Sequence, residues 1–138
     1  MRRRILSAAL ILGLVGCDAS RPYTGEAEKN VRIRTSAGSG RIALDVFSLN
    51  SGCEATYLGY VALDRPLVEV GLPAGRASLL VFQFEGTTSI KKEVQLVPLA
   101  GNRYEAYAAY KDSIYDIELR EIDPRTGANR ELDGRRRC

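Results

Sequence analysis

The spacing of the apolar residues restricts this chain more than any other feature. From Val31 to Leu132 they fall in short runs separated by glycine, proline, serine and asparagine. An extended strand sends alternate side chains to opposite faces, whereas a surface helix repeats its apolar positions every three to four residues. Val31-Arg32-Ile33-Arg34-Thr35 alternates with period two. Tyr115, Ile117 and Leu119 alternate in the same way with Asp116, Glu118 and Arg120. No helical period is sustained in this range.

Seven to nine runs qualify as strands. After Val31–Thr35 comes a turn, Ser36-Ala37-Gly38-Ser39-Gly40, and then Ile42, Leu44 and Val46 on one strand face. Cys53 to Leu63 is rich in β-favouring residues. Leu67 to Leu72 is short and apolar, and Pro73-Ala74-Gly75 breaks it. Leu79-Leu80-Val81-Phe82 is apolar on both faces, as a strand inside a sheet should be. Ile90–Val97, Tyr104–Tyr110 and Tyr115–Ile122 follow. Asp123-Pro124-Arg125-Thr126-Gly127 suits a type I turn closed by a glycine bulge, with a return strand from Asn129 to Leu132. The expectation is an all-β chain forming a single antiparallel β-sandwich over residues 31–138. A sandwich is favoured over a small barrel because several strands are apolar on both faces and uneven in length. Prealbumin-like and immunoglobulin-like topologies both fit.

The beginning of the chain has a different logic. Met1 is followed by Arg2, Arg3 and Arg4, then by an uncharged run from Ile5 to Gly16. That run is 12 residues (16 − 5 + 1), against the roughly 20 that a spanning helix needs. A basic start, a short apolar middle and small residues at the end read as an export signal. Leu14-Val15-Gly16-Cys17 resembles the lipobox of bacterial lipoproteins. The resemblance implies cleavage before Cys17, diacylglycerol on the Cys17 thiol and a lipid-anchored protein facing the periplasm. It divides the chain into a signal peptide (1–16), a lipidated flexible tether (17–30) of small and polar residues, and the sandwich (31–138). Asp18 resembles the signal that retains lipoproteins in the inner membrane in enteric-type sorting, which leans the placement that way. Val70-Gly71-Leu72-Pro73-Ala74-Gly75 and Val97-Pro98-Leu99-Ala100-Gly101-Asn102-Arg103-Tyr104 are similar to turns in small uncharacterised proteobacterial periplasmic lipoproteins. That likeness covers about residues 60 to 120 and implies no activity.

Removal of the signal also removes the apparent basic character. Lys+Arg 20 less three arginines leaves 17, against Asp+Glu 17. The mature chain is neutral, which gives no support to a nucleic-acid partner. Of three cysteines, Cys53 and Cys138 remain once Cys17 carries lipid. In an oxidising compartment they are expected to pair, closing a loop of 86 residues (138 − 53 + 1). There is no Cys-x-x-Cys spacing and no histidine, so a structural bridge is favoured over a metal-binding or reactive thiol.

The absence of histidine also removes the Ser-His-Asp and Cys-His arrangements. Lys29, Lys91, Lys92 and Lys111 stand in no Ser-x-x-Lys context. Asp116 with Glu118 reads as a solvated strand face, and Glu105 with Asp112 is the other carboxylate pair. We therefore expect no enzyme, no cofactor and no metal. Tyrosine is enriched at protein contacts, and Tyr104, Tyr107 and Tyr110 lie in one run. Tyr104 and Tyr110 share a parity and Tyr107 points the other way. They are candidate partner-binding residues, weighed against a role in the core. Arg135, Arg136 and Arg137 suit either lipid head groups or a solvated tail. The expected function is that of an envelope lipoprotein that binds or supports another envelope component at the membrane. The alternatives are an inhibitor of an envelope-attacking hydrolase such as a lysozyme, and an accessory subunit of a secretion complex.

Overall fold

The computed structural model describes residues 20–36, 40–86, 88–112 and 114–137. The signal segment, Cys17 and Cys138 lie outside them. Nine strands follow in chain order: β1 (Val31–Thr35), β2 (Arg41–Leu49), β3 (Ala55–Val61), β4 (Leu67–Val70), β5 (Ser78–Glu85), β6 (Ile90–Leu96), β7 (Arg103–Lys111), β8 (Ile114–Ile122) and β9 (Asn129–Leu132). They form two sheets, β4-β1-β7-β8-β9 and β3-β2-β5-β6. Every pairing is antiparallel except β1 with β7. The fold is thus the expected β-sandwich. An immunoglobulin domain splits its second and third strands between sheets, whereas β2 and β3 are hairpin neighbours here. Of the two topologies, the order is prealbumin-like.

Alternation in the sequence becomes inside and outside in the structure. Val31 and Ile33 of β1, Leu44 and Val46 of β2, Leu80, Phe82 and Phe84 of β5, Tyr104, Ala106 and Ala108 of β7 and Leu119 of β8 pack into one core. The opposite parity of the five-stranded sheet carries charge. Arg32 pairs with Glu69, Arg34 with Glu105 and Arg120 with Glu118. The hairpin before β9 forms as its residues require. Gly127 takes φ 70° and donates its N–H to the Asp123 carbonyl, while the Asp123 carboxylate accepts from the Arg125 N–H.

The expected tether is corrected over its described part. Residues 20–30 are laid onto the sandwich as a strap. Tyr23 N–H donates to the Tyr60 carbonyl, and Tyr60 N–H to the Arg21 carbonyl, so Pro22 bridges to the edge of β3. The Tyr23 hydroxyl donates to the Gly71 carbonyl at 2.6 Å, and Glu26 N–H donates to that same carbonyl. Asn30 holds the Leu72 backbone at both its N–H and its carbonyl, each at 2.8 Å. Low apolar content suggested a free chain. The strap is nonetheless held by one aromatic ring, by backbone pairing and by two glycines it crosses. A Cβ on Gly59 would meet the Tyr23 backbone at 2.6 Å, and one on Gly71 would clash with the carbonyls of Glu26 and Glu28.

The other end of the chain is also placed. After β9 it crosses the edge of β6, where Gln95 N–H donates to the Gly134 carbonyl. Arg136 then donates to the Cys53 carbonyl and Arg137 N–H to the Gln95 side chain. Leu79 lies in register with Phe47 and Gln95, on the parity opposite to Leu80 and Phe82, and only 3% of it is exposed. Its burial on an outer face accords with chain passing over this side of the four-stranded sheet.

Candidate functional site

The three tyrosines of β7 go to three environments and do not make one surface. Tyr104 is 1% exposed. Its hydroxyl accepts from Leu99 N–H at 2.8 Å and donates to Glu121 Oε2 at 2.7 Å. A hydroxyl that reaches back to the backbone of the preceding corner pins that corner to the strand. Burial raises the Tyr104 pKa above its ordinary value. The same hydroxyl, followed by Arg130 and Asn102, holds the Glu121 carboxyl below its ordinary range. As a contact residue Tyr104 is therefore corrected: it is core.

Tyr107 lies half-buried on the outer face of the five-stranded sheet, with the Arg34 guanidinium 5.4 Å from its ring centroid. With Ala109, Asp112, Ile114, Asp116 and Glu118 it lines a shallow hollow. The Asp116 and Glu118 side chains are on that solvated face, as their alternation implied. Tyr110 is at the far end of β7, where its ring lies 4.7 Å from that of Tyr115, which in turn meets Phe84 at 4.7 Å. Among the described residues, no group of three or more His, Cys, Asp or Glu could hold a metal ion.

The two glycine corners read from the sequence come together. Gly75 N–H donates to the Pro98 carbonyl at 2.8 Å, joining the β4–β5 and β6–β7 connections at one end of the sandwich. Val97 and Leu99 are 47% and 55% exposed there. Beside them the strap, Asn50, Ser51, Thr56 and Arg76 line an open hollow. The opposite end carries Leu67, Tyr110 and Ile114, at 44%, 42% and 62% exposure.

Sequence reasoning did not find Tyr23, Asn30 and Gly71 as a unit. One signal was available. Gly59 interrupts a strand run and Gly71 follows another, and a glycine in such a place often marks the close approach of a second backbone.

Set against known proteins, the chain matches no family model, no curated protein and no solved structure.

Proposed function

We propose that this chain is a lipoprotein anchored through Cys17, facing the periplasm, and that its sandwich is a non-enzymatic module that binds or supports another envelope component beside the membrane. The strap carries this reading. It brings the folded body to within three residues (20 − 17) of the lipobox cysteine. Three residues reach about 10 Å at most, so an acylated Cys17 keeps the body on the membrane and its partner must come there. Asp18 favours the inner membrane.

A Cys53–Cys138 disulfide belongs to the same reading. Cys53 and Cys138 are the two cysteines left once Cys17 carries lipid, and Arg136, two residues before Cys138, donates to the Cys53 carbonyl. The bridge would hold the tail across the outer face of the four-stranded sheet.

The experiment is metabolic labelling with a palmitate analogue in intact cells, followed by crosslinking and capture. The wild-type chain should carry label, fractionate with membranes and yield a membrane-proximal envelope protein. The Cys17→Ala variant should lose both label and membrane association. Label that survives in Cys17→Ala would overturn the anchor.

A further inference from the structure

We infer that the sandwich stands on the bilayer by one particular end, the one bearing Leu67, Tyr110 and Ile114, and that the end bearing Val97 and Leu99 points away. This rests on the lipid anchor at Cys17 proposed above.

The first argument is where the chain enters the body. Ser20 lines a hollow with Arg41 to Asp45 of β2 and Tyr60 to Asp64 of β3 and its following loop. These residues occupy the half of the four-stranded sheet remote from the glycine corners. Ser48 and Ser78 mark the corner end, whereas Arg41 pairs with Glu85 at the other. Nine residues of strand, as in β7, span about 30 Å. A leash of about 10 Å fixed to the Ser20 half brings that end to the lipid more readily than the corner end.

The second argument is what this end exposes. Four of the six exposed large apolar or aromatic side chains lie at this end or beside Ser20: Leu67, Tyr110, Ile114 and Tyr60. Tyrosine with its ring in acyl chain and its hydroxyl among head groups is suited to the membrane–water boundary. The other two, Val97 and Leu99, are together at the opposite end.

The third argument concerns charge. Arg41 pairs with Glu85, and Arg65 with Asp64. Lys91 and Lys92, both exposed, open β6 toward the same end, so attraction to anionic lipid adds to what acyl chains and aromatic rings contribute. The orientation should therefore be held at least as firmly on anionic as on neutral vesicles.

The chain has no tryptophan, so single replacements report their own surroundings. Lipidated full-length Ile114→Trp, Leu67→Trp and Leu99→Trp would be reconstituted into phosphatidylethanolamine–phosphatidylglycerol vesicles carrying bromine on the acyl chains. Tyr110→Trp and Val97→Trp serve as second reporters for the two ends, should a replacement shift the melting temperature. Emission from positions 114 and 67 should shift to shorter wavelength and be lost to bromine. Emission from position 99 should match that of protein in water. Equal quenching at both ends, or quenching at position 99 alone, would overturn the orientation, as would vesicle-bound protein with no quenching anywhere. Flotation of the same vesicles separates the two failures. Protein that does not float has no anchor, and the parent reading falls with it. Protein that floats with the wrong pattern contradicts only the orientation.

Discussion

The two ends of the described chain are both pinned to the sandwich, but by different means. The strap is held by neutral contacts: the Tyr23 hydroxyl on the Gly71 carbonyl, the Asn30 amide on Leu72, and close passage over Gly59 and Gly71. The tail combines surface charge with a few bonds at a sheet edge, where Gln95 N–H donates to the Gly134 carbonyl and Arg136 donates to the Cys53 carbonyl. Arg135 is chelated by Asp133 and Arg136 lies 4.0 Å from Glu93. Buried hydrogen bonds resist salt and moderate pH, whereas exposed ion pairs are screened and contribute little. Two polar segments are thus expected to respond differently to the same perturbation, with the tail depending on the proposed Cys53–Cys138 bridge and the strap on shape.

The largest effect should come from that bond. Cys53→Ser opens a loop of 86 residues (138 − 53 + 1), which chain-entropy reasoning values at about 4 to 5 kcal/mol. Denaturant unfolding under non-reducing conditions measures it. No loss would mean that the tail is held without the bridge.

Gly71→Ala should come next, at about 1–3 kcal/mol, because the strap must move off two carbonyls that a Cβ cannot share. Limited proteolysis near residues 26–28 should speed up in that variant and remain slow in Cys53→Ser. Asn30→Ala leaves the Leu72 N–H, buried at 1% exposure, without its partner, at about 1–3 kcal/mol. The strap should be affected in this variant and the tail not.

Titration separates the two holds more finely. Burial, with Glu26 as the second cause, raises the Tyr23 pKa above its ordinary 10.0. Its contribution is complete below pH 10 and is lost as pH rises through the raised value. A wild-type melting curve should fall there more steeply than that of Tyr23→Phe, the remainder coming from Tyr104. In acid the sign is reversed. Asp133 is lowered to about 2 by its hydrogen bond to Arg135, so its stabilising contact is present above its ordinary value near 3.8 and is lost as pH falls toward 2. Asp133 is exposed, so Asp133→Asn should change the melting temperature least of all, and added salt should produce the same small change.

What was legible beforehand divides along the same line. Strands were legible because burial on one face imposes a period of two, and β1 and β8 show it in four or five residues. The Asp123–Gly127 turn was legible because positive φ and a side-chain acceptor demand particular residues. Tyr104 was not separable from Tyr110 by parity. Both belong to the inward set, and only position along β7 makes one core and the other an end residue. The strap was hidden for a different reason. A segment held by backbone groups and one ring has no apolar period, and its marks, Gly59 and Gly71, are on the surface it covers rather than in itself.

The account depends on the strap being part of the folded body, and amide hydrogen exchange on the full chain tests that directly. The Tyr23 and Glu26 N–H groups, which donate to Tyr60 and Gly71, should exchange far more slowly than free chain, as should Tyr60 N–H, which donates to Arg21. Gly71→Ala should release Glu26 while core amides such as Phe82 stay protected. Exchange of Tyr23 and Glu26 in the wild-type chain at the rate of an unstructured peptide would contradict the strap, and with it both the short leash and the orientation drawn from it.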